Sequence, residues 1–123
     1  MEKILTDKAP KAIGPYSQGI TSGGLVFCSG QVAIDPKTNE FQPGTIGEET
    51  TRVIENLKAV LEQAHSGLEK TIKVTVYLSN IDNFAEMNKI YETYFSHKPA
   101  RSTVEISRLP KGAKIEIDVI AEI

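Results

Sequence analysis

The chain has one cysteine, three arginines against eleven lysines, two histidines and no long apolar run. A single cysteine, Cys28, excludes an intramolecular disulfide framework and fits a reducing cytosol. No apolar stretch approaches the roughly 18 residues that a membrane-spanning helix needs. Residues 1–8 show no apolar core followed by a small-residue cleavage site, so no secretory leader is expected and the cytoplasm is the expected location. Two scattered histidines and one cysteine do not make a zinc site. Residues 35–40 lack the spaced aspartates of a calcium loop. Lys111-Gly112-Ala113-Lys114 lacks the upstream glycine of a phosphate-binding loop. Neither a Gly-x-Ser-x-Gly elbow nor a Gly-x-Gly-x-x-Gly fingerprint occurs. Fourteen basic against sixteen acidic side chains leave a net charge of -2, which opposes a broad nucleic-acid footprint. There is no internal repeat and no low-complexity tract.

What remains is 123 residues, 40% hydrophobic and 24% charged. That suits one globular domain spanning residues 1–123, able to bury about two-thirds of its unfolded surface. Gly23-Gly24 is a two-residue hairpin turn between an extended 16–21 segment and a strand at Leu25–Gln31. Residues 35–47 read as a long loop with a short edge strand near Phe41. Thr45 with Glu48 three residues on fits a capping box. Val53, Leu57, Val60, Leu61 and Ala64 then recur at helical spacing, and Gly67 ends this first helix. His65 falls in its last turn, where a cation suits the dipole. Ile72, Val74, Val76 and Leu78 alternate with Thr71, Lys73, Thr75 and Tyr77 as a half-buried strand. Asp82 is placed to cap a second helix, whose stripe is Phe84, Met87, Ile90 or Tyr91, and Tyr94. Strands over 101–107 and 115–123 follow, joined by a Pro110-Lys111-Gly112 turn. The order ββ-α-β-α-ββ predicts an α+β fold with a mixed sheet and both helices on one face.

Alternation assigns faces to these strands. In the last one Ile115, Ile117, Val119, Ala121 and Ile123 turn to the helices, and Lys114, Glu116, Asp118 and Glu122 turn away. In the 101–107 strand Ser102, Val104 and Ile106 are expected to face the helices. Arg101, Thr103 and Glu105 would then share the uncovered face with Glu116, Tyr77, Thr75 and Ile120. A sheet face without helices is most simply covered by another copy of the chain, so a homo-oligomer is expected.

A planar guanidinium holds a carboxylate through two parallel hydrogen bonds, which an ammonium cannot do. Arg101 therefore reads either as an anion clamp or as half of a structural ion pair. Glu116, in an apolar strand, reads as a carboxylate that moves protons if burial raises its pKa, or as part of a solvated face with Asp118 and Glu122. Tyr16, after the rigid Gly14-Pro15 turn, either reaches a ligand or anchors its loop. Cys28 has no visible activating partner and reads as a small buried hydrophobe.

Several segments resemble one family. Residues 12–19, Ala-Ile-Gly-Pro-Tyr-Ser-Gln-Gly, are similar to the N-terminal signature of the reactive intermediate deaminase (RidA/YjgF) family. So are Phe27-Cys28-Ser29-Gly30-Gln31-Val32, Glu55-Asn56-Leu57-Lys58-Ala59-Val60-Leu61 and Phe84-Ala85-Glu86-Met87-Asn88. Lys98-Pro99-Ala100-Arg101-Ser102-Thr103-Val104 is the strongest match, followed by Leu109-Pro110-Lys111 and Ile115-Glu116-Ile117. The resemblance runs collinearly from about residue 9 to the C-terminus. It implies a chorismate-mutase-like fold and a homotrimer with sites between subunits. It also implies hydrolysis of 2-imino acids such as 2-iminobutanoate and 2-iminopropanoate, or their enamines, to 2-keto acids and ammonia. Such intermediates leave pyridoxal-phosphate enzymes, and the hydrolysis itself uses no cofactor or metal. By the same resemblance Arg101 binds the carboxylate, Glu116 positions the attacking water and Tyr16 lines the pocket. Ser29, Gly30, Asn88 and Thr103 take pocket positions. Many members have cysteine where this chain has Thr103, so a reactive thiol is not required there. The expected partners are small 2-imino and 2-keto acids and the chain's own copies, with neither nucleic acid nor membrane. Two other readings are a non-catalytic keto-acid-binding regulator and an RNA-directed or chaperone-like activity, the RNA reading opposed by the net charge.

Overall fold

All 123 residues are described by the computed structural model. The strands are β1 (Glu2–Ile4), β2 (Gly19–Ser22), β3 (Leu25–Gln31), β4 (Ile34–Asp35), β5 (Glu40–Phe41), β6 (Thr71–Leu78), β7 (Ala100–Glu105) and β8 (Ile115–Glu122). The helices are α1 (Ile46–Gln63) and α2 (Phe84–Tyr94). α1 starts where its cap directs. The Thr45 hydroxyl accepts the Glu48 amide at 3.1 Å, and Glu48 Oε1 accepts the Thr45 amide at 2.9 Å. The stripe Val53, Leu57, Val60 and Leu61 is fully buried. The helix stops at Gln63, before Gly67. His65 takes the left-handed conformation (φ 61°), and the amides of His65 and Ser66 return to the carbonyls of Glu62 and Leu61. A histidine thus fills the turn position usually given to glycine, beyond the last helical turn rather than in it.

Six strands form one sheet in the order β1-β2-β3-β8-β6-β7, and β4 and β5 form a separate small hairpin. Among neighbouring strands only β6 and β7 run parallel. α2 crosses from β6 to β7, and α1 crosses from β3 to β6 with β8 between them. Crossovers of this kind keep one hand, which brings both helices to the same face. The core lies there, with Val26, Val74, Val76, Leu78, Ile115, Ile117 and Val119 beneath the helices. Gly23 and Gly24 (φ 59° and 78°) make the predicted β2–β3 turn. Phe41 lies in a short strand, as expected, and β1 adds a strand the pattern did not announce. No helix is long and apolar enough to cross a membrane.

Four expectations are corrected. Asn80, not Asp82, supplies the capping oxygen. It accepts the Asp82 amide at 2.9 Å and opens a short 3-10 turn, Ile81–Asn83, ahead of α2. A register shift between Thr71 and Lys73 turns Ile72 outward and buries Thr71 in its place. Ile123 lies past the end of β8 and is exposed. The largest correction concerns β7. Its parallel register sets Arg101, Thr103 and Glu105 beside Val74, Val76 and Leu78, the core-facing residues of β6. Arg101 and Thr103 therefore face the helices, and Ser102 and Val104 face away. An edge strand takes its face from its neighbour's register, and here that outweighs the apolar alternation of Val104 and Ile106.

One buried carboxylate ties the start of β8 to α1. Glu49 is 1% exposed. Its Oε1 accepts the Lys114 amide at 2.9 Å, and its Oε2 lies 3.3 Å from the Gly44 amide and 3.4 Å from Lys114 Nζ. Glu49→Ala would leave two backbone donors without acceptors. We expect a loss of about 2–3 kcal/mol, most of it from those amides because the Lys114 side chain is partly exposed. Urea unfolding at fixed protein concentration checks this, as a lower midpoint with an unchanged slope.

Candidate functional site

The expected site residues fall into two groups on opposite faces of the sheet. The first gathers around Arg101 at the β7 edge. Its guanidinium is half-buried, and Nη1 donates to Asn88 Oδ1 at 2.8 Å. Cζ lies 4.6 Å from the Tyr91 ring centre and 5.4 Å from that of Phe84. Positions 84, 88 and 91 are one stripe of α2, so a single helix face holds the arginine. The chain's two ion pairs are Glu86–Lys89 and Glu49–Lys114, so Arg101 has no carboxylate partner. That removes the structural ion pair as its explanation within one chain. A cleft of about 430 Å³ opens beside it, lined by Asn88, Tyr91, Glu92, Lys98, Pro99 and Arg101. Thr103, two residues on, buries its Oγ1 without a hydrogen-bond partner.

The second group lies on the uncovered face. Glu116 stands opposite Tyr77 on β6 and two residues before Asp118 on the same strand face. Its carboxylate folds over Gly30 so closely that a Cβ there would collide with it. Gly30 lies where the β3–β8 register shifts between Cys28 and Gln31, and such bulges re-aim local groups. Burial first, and then the charge of Asp118, raise the Glu116 pKa above the ordinary carboxylate range. Tyr77, Thr75 and Ile120 share this face as the alternation predicts.

Tyr16 projects at the rim of the same face and is 54% exposed. Its loop is pinned by Gln18, a residue whose role no local pattern signals. Buried Gln18 accepts the Thr6 amide at 2.8 Å and donates to the carbonyls of Pro10 and Thr6. Ser29 Oγ donates to the Ser17 carbonyl at 2.6 Å, so its hydroxyl braces the loop. A cleft of about 690 Å³ runs past Lys3, Tyr16, Ile20, Phe27, Cys28 and Ser29. Arg101 lines the smaller cleft, and Glu116 lines neither. Arg101 lies two strands and three residues from Glu116 in register, roughly 14 Å along the sheet, on the other face. The expectation that they share a face is therefore wrong for one chain.

Cys28 is buried, and its thiol is pushed up to about 12 by burial first and then by Asp118. It stays a thiol at neutral pH and has no activating cation.

A mixed six-stranded sheet with two helices on one face, and two separate clefts, defines the structural class. The chain matches the family model described as endoribonuclease L-PSP over residues 6–123. It is 54% identical over 121 residues to a RutC family protein of Pyrococcus abyssi, covering 98% of this chain and 95% of that one. RidA from an Antarctic Psychrobacter species is 39% identical, with a TM-score of 0.95 over 100% of both chains. Escherichia coli TdcF, solved with bound serine, is 38% identical, with a TM-score of 0.94 over 100% of this chain and 99% of that one. The chain belongs to this endoribonuclease L-PSP family, the Rid/YjgF proteins.

Proposed function

We propose that the chain hydrolyses small 2-imino acids, or their enamine tautomers, to 2-keto acids and ammonia, at sites shared between copies in a homotrimer. The observation that carries this reading is Arg101, a half-buried guanidinium held by neutral groups alone and so free to bind a carboxylate. The serine bound to TdcF has the α-carboxylate and the nitrogen-bearing carbon that a 2-imino acid also has. The two groups lie on opposite faces, which supports a site built from the Arg101 group of one copy and the Glu116 group of the next. Unlike surfaces in contact repeat head to tail and close into a ring. A trimer is the smallest ring beyond a dimer, and light scattering should give about 40 kDa against the 13.5 kDa chain.

The chemistry needs orientation and one proton relay. Arg101 fixes the carboxylate, and the carbon of the protonated imine faces Glu116 of the neighbouring copy. Glu116 takes a proton as water adds to that carbon, and the C=N electron pair moves to nitrogen. Protonated Glu116 then gives its proton to the amino group of the carbinolamine. The C–N bond breaks as the hydroxyl lone pair forms the carbonyl. Glu116, ionised again, takes the hydroxyl proton from the protonated carbonyl and passes it to the departing ammonia, which leaves as ammonium. A raised Glu116 pKa makes the carboxylate a stronger base for the first step, and the carbinolamine amino group is basic enough to take the proton back in the second.

The test is a coupled assay in which a threonine dehydratase generates 2-iminobutanoate and keto-acid release is followed with and without this protein. Acceleration supports the proposal. Keto-acid binding with no acceleration would favour a sensor. The family description names RNA cleavage, yet the net charge of -2 and the Glu116–Asp118 pair on the uncovered face oppose a phosphate backbone.

A further inference from the structure

A carboxylate clamp must be both charged and rigid. An arginine side chain loses much rotamer freedom when a ligand captures it, and that loss weakens binding unless the side chain is already ordered. A neighbouring carboxylate would order it, but would also take up its charge. Arg101 is ordered in another way. Its guanidinium lies over the rings of Tyr91 and Phe84, 4.6 Å and 5.4 Å from Cζ, with Asn88 Oδ1 on Nη1 at 2.8 Å. All three holders are uncharged.

We propose that Tyr91 is the positioning residue of the carboxylate site, its ring holding the Arg101 guanidinium while Phe84 adds a second, looser ring contact. This rests on the reading of Arg101 as the carboxylate clamp. The two aromatics differ in rigidity. Tyr91 is buried and braced by Phe95, a fully buried core ring whose centre lies 4.7 Å from its own. Phe84 stands at the surface, 36% exposed. The larger share of the positioning therefore falls to Tyr91. The role is assigned to the ring, because the buried Tyr91 hydroxyl makes no hydrogen bond of normal geometry. Burial raises its pKa, opposed by the charge of Arg101 and by the approach of the Arg101 side chain to the hydroxyl, so the hydroxyl stays neutral and the cradle carries no charge of its own. A cation over an aromatic face is attracted by the ring quadrupole, and that attraction grows as water is excluded.

The experiment measures 2-oxobutanoate affinity by calorimetry and imine turnover for Tyr91→Phe, Tyr91→Leu, Phe84→Leu and Arg101→Ala. Tyr91→Phe keeps the ring and should stay within about twofold of the parent. Tyr91→Leu keeps apolar bulk but loses the ring. Its affinity should fall about 5- to 30-fold at unchanged stoichiometry, with KM raised and kcat nearly held. Phe84→Leu should weaken binding by about 2- to 5-fold, and because Phe84 is at the surface it decides the matter if Tyr91→Leu does not fold. The proposal is overturned if Tyr91→Leu binds like the parent, if it loses sites at unchanged affinity, or if Tyr91→Phe is equally weak. For a Tyr91→Leu that fails to fold, parental affinity in Phe84→Leu overturns it. Parental affinity in Arg101→Ala is a separate failure, because it removes the clamp reading itself.

Discussion

In an Arg101→Ala variant, 2-keto acid affinity is expected to fall by roughly 30- to several thousand-fold, or about 2–5 kcal/mol. The lost contact is a bidentate, charge-assisted pair in a cleft that, on the proposed assembly, a second copy encloses further. Arg101→Lys should recover little, because an ammonium does not reproduce the planar fork and cannot lie flat against Tyr91. The fold should tolerate both changes, since Arg101 neutralises no carboxylate in the chain. Calorimetry on variants of parental mass checks this. Parental affinity in Arg101→Ala would make the arginine a packing residue.

Glu116→Gln should separate chemistry from binding. It keeps the size and hydrogen bonding of the side chain above Gly30 but removes its basicity. Turnover should fall by about 10²- to 10⁴-fold while keto-acid affinity holds. The pH dependence follows from the direction of the shift. The ionised form is the base, and burial with Asp118 raises the pKa at which it is lost. Parental turnover should therefore decline as pH falls through a value above that of an ordinary glutamate, and the Glu116→Gln change should abolish that limb. A pH–rate profile of the parent with its acid limb at or below the ordinary value would contradict the assignment.

The features legible in the sequence are local ones. The Thr45–Glu48 box, the Val53-to-Leu61 stripe and the Gly23-Gly24 turn each depend on residues a few positions apart, and each is found as read. The features that differ from the pattern depend on neighbours distant in sequence. Val104 is apolar yet faces outward, because β7 takes its register from β6. Ile72 is turned out by a shift that only the pairing with β8 reveals. His65 takes a glycine's place because the backbone hydrogen bonds of the turn offset a left-handed conformation. The candidate site is legible through resemblance more than through physics. Arg101 and Glu116 each have an ordinary alternative, and nothing in their spacing shows that they lie on opposite faces. Tyr91 is visible as a helix-stripe residue, but its place under Arg101 depends on how α2 crosses to β7.

The central claim is that each site takes Arg101 from one copy and Glu116 from the next. Mixing Arg101→Ala with Glu116→Gln tests it most directly. Each variant alone should be nearly inactive in the coupled imine assay. Co-refolded in equal amounts, they should place an intact Arg101 against an intact Glu116 at about one quarter of the sites in a head-to-tail ring. Activity should then rise to about one quarter of the parental value. A mixture that forms hybrid trimers yet stays at the mean of the two variants would mean that both residues act from one chain, or that one of them does not act at all.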